Sequence, residues 1–199
     1  MSMKTEIEVK FLGVDIEQMR AKLRDAGAVL EQPMRLMRRA LIETAETKAR
    51  NAFLRIRDEG DKVTVTFKQF DENSLTGAKE REIVVNDFDE TAAIFSEFGL
   101  KYHTFQESKR ETWKYNEVEV VIDEWPWIPS YIEIEGASEE SVKQAAAELG
   151  FDWKDAVFGS VDVIYNLEYP DMTVRGVIDL KEVRFEDPLP KQFQEKSSE

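Results

Sequence analysis

Residues 5 to 12 read Thr5–Glu6–Ile7–Glu8–Val9–Lys10–Phe11–Leu12. Successive side chains of an extended strand point to opposite faces, so Glu6, Glu8 and Lys10 share one side and Ile7, Val9 and Phe11 the other. Alone, such a polar face is ordinarily the wet side of a half-exposed strand. Working outward, the same alternation returns with other charges. Arg55 and Arg57 oppose Leu54 and Ile56; Thr64, Thr66 and Lys68 oppose Val63, Val65 and Phe67; Glu80 and Glu82 alternate with Arg81 and Ile83. Glu119 and Asp123 flank Val121 on one face, and Glu133 and Glu135 alternate with Ile132 and Ile134.

This period-two pattern predicts strands over Thr5–Leu12, Arg35–Glu43, Asn51–Asp58, Lys62–Phe70, Lys79–Val85, Thr104–Tyr115, Glu117–Glu124 and Ser130–Glu135. Eight strands suggest a closed sheet. Three helices are expected between them, each opening on a polar cap and stopping at a glycine. Asp15 caps the first, which ends at Gly27; Asp89 caps the second, which ends at Gly99; Ser138 caps the third, which ends at Gly150. Turns fall at Glu59–Gly60–Asp61, from Asp71 to Gly77, and at Tyr115–Asn116. The expected class is α+β, an eight-stranded antiparallel barrel with helices packed outside. Residues 1–186 are expected to form one domain, and residues 187–199, with Pro188 and Pro190, a loose tail.

Composition removes several kinds of chemistry. With no cysteine and one histidine, disulfides, thiolate nucleophiles and multi-histidine metal sites are excluded. Any metal must sit on carboxylates, which suits hard cations such as Mg²⁺ or Mn²⁺. The net charge of −14 argues against nucleic acid or an anionic membrane as partner. No leading apolar segment or long apolar run is present, so a cytoplasmic protein is the default expectation.

The charges are sorted. Some strands carry only carboxylates on their polar face and others only Arg or Lys, whereas a merely soluble surface mixes signs freely. If helices cover the apolar faces, the charged faces line a lumen, where unpaired charge is costly unless a ligand or counter-ion meets it. A triphosphate with a divalent metal is such a ligand: Arg and Lys match its oxygens, and paired carboxylates hold the cation.

Glu6–Ile7–Glu8–Val9–Lys10 resembles the ExExK signature of the CYTH superfamily, the triphosphate tunnel metalloenzymes. In the same order, Leu54–Arg57 resembles that family's LRIR strand, Phe67–Lys68 its next basic strand, Glu80–Glu82 its ExE strand and Tyr131–Glu135 its late EIE segment. The resemblance spans about residues 4 to 170. It implies a β-tunnel with Glu6, Glu8, Glu133 and Glu135, and Asp123 as a further one, as metal ligands for Mg²⁺ or Mn²⁺. Lys10, Arg55, Arg57, Lys68 and Arg110 would hold phosphate oxygens, and Glu80 and Glu82, with Lys10, would be the catalytic groups, ordering water or positioning the bases.

Two departures from the family's pattern stand out. Ser108 replaces the first basic residue of a KxR pair if Arg110 is in register, leaving Lys109 outward, and the strand from Arg35 lacks the aromatic and aspartate of many relatives. The implied activity is metal-dependent hydrolysis of inorganic triphosphate or a small triphosphorylated molecule. The alternatives are a class IV adenylate cyclase and a non-catalytic polyphosphate or nucleotide sensor. His103 has no evident acid–base partner in the sequence, and Trp125–Pro126–Trp127 reads as an aromatic turn closing a barrel end.

Overall fold

The alternation that begins at Glu6 is a strand, β1 (Lys4–Leu12), and its neighbours in space are the other alternating segments. The structure, a computed structural model, describes residues 4–70, 76–172 and 176–194. The side chains of residues 4–6, 76–78, 192 and 194 lie outside that description. The expected turn from Asp71 to Gly77 therefore falls largely outside the described residues.

In chain order, β1 is followed by α1 (Ile16–Asp25), β2 (Val29–Ile42), α2 (Ala45–Ala49), β3 (Ala52–Asp58), β4 (Val63–Phe70) and β5 (Thr76–Val85). Then come α3 (Phe88–Glu97), β6 (Thr104–Tyr115), β7 (Val118–Glu124), β8 (Tyr131–Gly136) and α4 (Glu139–Glu148). After a 3₁₀ turn at Trp153–Asp155, the chain ends in α5 (Val161–Glu168), β9 (Glu182–Val183) and α6 (Lys191–Gln194). The strands lie in the order β2-β3-β4-β5-β1-β8-β7-β6, and β2 also pairs with β6. That last pairing makes a continuous ring of eight antiparallel neighbours. β9 adds to β6 in parallel.

Packing decides which face of the ring is inside. Val9, Phe11, Val120, Ile122, Ile132 and Ile134 meet Met19 and Leu23 of α1 and Val142, Ala145 and Ala146 of α4 in one buried cluster. Ala40, Ile42, Ile56 and Val65 meet Phe88 of α3 in another. The helices thus cover the apolar faces, and the charged faces turn inward. Truncating a fully buried member such as Ile134 to Ala costs about 2–5 kcal/mol.

Local caps fix the helices. Asp15 accepts from the Gln18 amide at 2.9 Å and Ser138 from the Ser141 amide at 3.1 Å. At α3 the cap is Asp87, accepting from Glu90 N at 2.8 Å, and not Asp89 as expected; Asp89 sits in the first turn, where its charge favours the helix dipole. β2 starts at Val29, well before Arg35, through two register shifts around Gln32. α2 and α5 have no counterpart in the sequence reading.

The stretch after the third expected helix wraps one end of the barrel. Val161, Ile164 and Tyr165 of α5 pack with Trp125, Tyr131, Val177, Val183 and Phe193. Tyr165 Oη donates to the Pro126 carbonyl at 2.6 Å, and Trp127 Nε1 to that of Asp187 at 2.9 Å. Within the segment read as a tail, Phe193 is buried and stacks on Tyr169 at 5.1 Å, while Leu189 is partly buried. No helix among the described residues is long and apolar enough to cross a membrane.

Candidate active site

The inward faces enclose a cavity of about 580 Å³. Of the residues singled out from sequence, Glu8, Lys10, Arg55, Arg57, Lys68, Glu80, Glu82, Arg110, Glu133 and Glu135 all line it. The Glu6 side chain lies outside the described residues, although its backbone is in β1. Asp123 is not at the cavity surface. It is 1% exposed, and its two oxygens accept from Arg110 Nε at 2.8 Å and Nη2 at 2.6 Å. Asp123 therefore anchors Arg110 in this geometry, which departs from the ligand role the resemblance implied.

Strand order sorts the charges into two walls. On the β1–β8–β7 side, Glu8 and Glu135 are register partners, and Glu135 is in turn opposite Glu119, so three carboxylates lie in a row. One step along, Lys10 is opposite Glu133 and bridges Glu8 Oε1 at 2.7 Å and Glu133 Oε2 at 2.9 Å. Burial works against the Lys10 charge, but Glu133 and Glu8 outweigh it and hold its pKa above the usual range. Burial likewise pushes the Glu133 carboxyl up, yet Lys10 and Arg110 hold it well below the usual carboxylate range. Arg110 reaches Glu133 Oε1 at 3.5 Å.

The β2–β3–β4 side is different. Arg39 and Arg57 face each other directly across β2 and β3, and Arg55 lies two residues along. Arg55 is 7% exposed; its Nη2 donates to Thr66 Oγ1 at 3.3 Å, Glu82 is 3.8 Å away, and its buried Nε has no hydrogen-bond partner. Burial, with Arg57 and Arg39 adding repulsion, pulls its pKa down to about 9. Burial pulls Arg39 down to about 10, with Asp162 offering partial relief and Arg57 opposing it. Lys68 meets Glu80 at 3.3 Å, and Thr66 Oγ1 donates to Glu82 at 2.7 Å, so the two β5 glutamates hold the basic side chains in place.

Several cavity residues escaped the sequence reading. Arg39 stacks over Trp125 at 4.3 Å and donates to Gln106 Oε1 at 2.8 Å from Nε; Arg35, Met37 and Arg39 at alternate positions would have given it away. Glu59, read as a turn residue and not itself part of the cavity lining, is 4% exposed, and its Oε1 accepts from the lining residue Arg57, from Nε at 2.9 Å and Nη2 at 2.6 Å. Ser160, Val161, Asp162 and Ile178 come from the C-terminal wrap. Ser108 lines the cavity, and Lys109 points outward over the Phe185 ring at 4.6 Å, in line with the register expected for Arg110. His103, outside the cavity, does have an acid beside it: its Nε2 is 3.5 Å from Glu43.

The donor chemistry of the acidic wall fits a hard divalent cation, since like charges directly opposite one another are relieved by one. Among the described residues no three acidic or imidazole groups yet converge as a ligand set. Glu8 and Glu133 turn toward Lys10 instead.

With this geometry in view, the profile of the CYTH domain matches residues 4–156. The chain belongs to the CYTH domain family. The C-terminal wrap lies beyond the matched stretch. Solved structures resemble this CYTH domain at low identity, which speaks for the fold. The PH1012 protein from Pyrococcus horikoshii OT3 aligns with a TM-score of 0.64 and 22% identity over 76% of this chain and 94% of its own. A candidate adenylate cyclase from Vibrio parahaemolyticus aligns with a TM-score of 0.71 and 10% identity over 82% and 99%. A candidate adenylyl cyclase from Hippeastrum, described as having a dominant triphosphatase activity, gives 0.55 and 18% over 73% and 88%. No curated protein matches the chain.

Proposed function

We propose that this CYTH domain is a divalent-metal-dependent phosphohydrolase acting on inorganic triphosphate or a small triphosphorylated molecule held in the tunnel. The observation that carries the reading is Arg55, a buried guanidinium with an unpartnered Nε, beside Arg57 and Arg39 on one wall. A buried cation without a matching anion is costly, and a chain of phosphates offers oxygens that would meet Arg55 together with the Arg39 and Arg57 beside it. Hydrogen bonds from charged donors to phosphate contribute about 1.5–3 kcal/mol each.

Glu6, Glu8 and Glu135, with Glu119 beside them, would hold Mg²⁺ or Mn²⁺; Glu133 reaches it only by giving up Lys10 or Arg110. The ion would supply Lewis-acid polarisation and an oriented water. The protein's own part is electrostatic: Arg55, Arg57, Lys68 and Arg110 fix the phosphate chain and offset charge growing on the bridging oxygen as the terminal P–O bond breaks. Lys10, clamped between Glu8 and Glu133 where the two walls meet, presents a fixed ammonium. The dominant triphosphatase activity described for the Hippeastrum protein favours this reading, while the adenylate cyclase name of the Vibrio protein favours the cyclase alternative.

The test is incubation with inorganic triphosphate and Mg²⁺ or Mn²⁺, followed by phosphate analysis. One orthophosphate and one pyrophosphate per triphosphate is the expected result. Cyclic AMP and pyrophosphate from ATP, with triphosphate left intact, would make the protein a cyclase; tight binding without product would make it a sensor.

A further inference from the structure

Arg39 is held in the tunnel by neutral groups. It stands between two register partners, Arg57 on β3 and Gln106 on β6. Gln106 Oε1 accepts from its Nε at 2.8 Å and also from its Nη2, and the guanidinium lies over the Trp125 ring at 4.3 Å. Among the described residues no carboxylate pairs with it, and Asp162 helps it through charge alone. Other cations of the cavity differ. Arg57, Arg110, Lys10 and Lys68 each have a carboxylate oxygen within 3.3 Å.

Gln106 is fully buried and does not itself line the cavity. Its Nε2 donates to Thr104 Oγ1 at 3.2 Å and to the Val177 carbonyl at 3.4 Å. A carbonyl can only accept, so the amide nitrogen belongs on that side and the amide oxygen on the side of Arg39. Glutamine thus supplies an acceptor without a charge. One residue away on the same two strands, Arg38 is the register partner of Glu107 on the outer face, and Arg38 also pairs with Asp58. Carboxylates answer arginine outside the barrel, and an amide does so inside.

We infer that Gln106 is a positioning residue: it aims Arg39 at the phosphate chain while leaving the charge of that guanidinium to the ligand. This rests on the triphosphate reading above and deepens it. A cation taken out of water and bonded only to neutral groups keeps its charge unmet, in keeping with the downward pull that burial exerts on Arg39. Opposite charges directly across two strands stabilise one another, so a carboxylate at position 106 would satisfy the free protein and take Arg39 from the ligand. Val177, which helps to orient the amide, lies beyond the family-matched residues, so the C-terminal wrap shares in setting this contact.

The experiment is titration calorimetry with inorganic triphosphate, without added metal so that turnover does not interfere, beside thermal unfolding of each variant. Gln106→Glu, which puts a carboxylate where the amide oxygen stood, should weaken triphosphate at least tenfold. Gln106→Met, which drops the anchor without adding charge, should weaken it only about threefold. Arg39→Met should lose at least tenfold with an unfolding midpoint no lower than that of the wild type. A merely structural Gln106 would instead show Gln106→Met losing as much affinity as Gln106→Glu, in step with stability, and that result would overturn the role. So would Gln106→Glu binding as tightly as the wild type. If Gln106→Glu does not fold, the other two variants decide, and wild-type affinity in either one would overturn the inference while leaving triphosphate recognition intact. A wild-type protein that does not bind triphosphate would overturn the triphosphate reading itself, and this inference with it.

Discussion

The cations on the two walls of the tunnel stand in opposite conditions. On the acidic side the cations are already satisfied: Lys10 is shared by Glu8 and Glu133, and Arg110 is held through two nitrogens by Asp123. On the basic side, Arg55 has a buried nitrogen with nothing to bond, and Arg39 and Arg57 face each other. The pKa directions tell the same story, raised for Lys10 and Arg110 and lowered for Arg55 and Arg39. One wall is built to be stable as it stands, and the other is built to receive an anion. Removing a cation from the first should therefore show in folding, and removing one from the second in binding.

The largest effect is expected from Lys10→Met. It leaves Glu8 and Glu133 facing each other in the interior without their cation, and breaking a buried pair from one side costs about 3–5 kcal/mol. Urea unfolding measures it, and a loss under about 1 kcal/mol would show that the acidic wall does not depend on Lys10. Next comes Glu8→Gln, which removes a proposed metal ligand and should lower turnover at least tenfold with little change in unfolding midpoint; wild-type rates would remove Glu8 from the metal site. Arg57→Ala should be milder. Part of its charge is already committed to Glu59, so triphosphate affinity should fall by several-fold, read as a higher KM with kcat nearly kept.

The smallest effect is on pH. Because the Glu133 carboxyl is held down in the folded protein, its ion pairs stabilise above the ordinary glutamate pKa of about 4.5 and are lost as pH falls through the lower folded value. The Glu133 contribution should therefore be flat from neutrality to about pH 5 and vanish only in stronger acid. The difference in unfolding free energy between wild type and Glu133→Gln, followed against pH, isolates it. A difference that shrinks already between pH 7 and 5 would mean that the pair is weaker than its geometry.

Much of the barrel was legible because alternation is a local signal. The β6 bounds Thr104–Tyr115 coincide with the expected ones, and most other strands start or stop within a residue or two. The early half of β2 was not, since Pro33 and the register shifts near Gln32 interrupt its period. Charge sorting pointed to the inward residues Glu8, Arg55, Lys68 and Glu133, but it could not assign partners. That Asp123 serves Arg110, or that Glu59 leaves its turn to meet Arg57, depends on side chains brought together by the fold and not by spacing. The C-terminal wrap was the least legible part. Val161, Ile164 and Tyr165 make a short apolar helix whose meaning lies in the barrel end it covers, and α5 has no side-chain cap bond to announce it.

The central claim, that the basic wall awaits a polyphosphate, is tested most directly by the affinity of Arg55→Ala for inorganic triphosphate, measured by calorimetry beside its thermal unfolding. The account predicts at least a thirtyfold loss of affinity with stability unchanged or higher, because removing a buried, incompletely bonded cation relieves the free protein while depriving the ligand of its partner. Unchanged affinity, or a loss of stability that accounts for the whole effect, would contradict it.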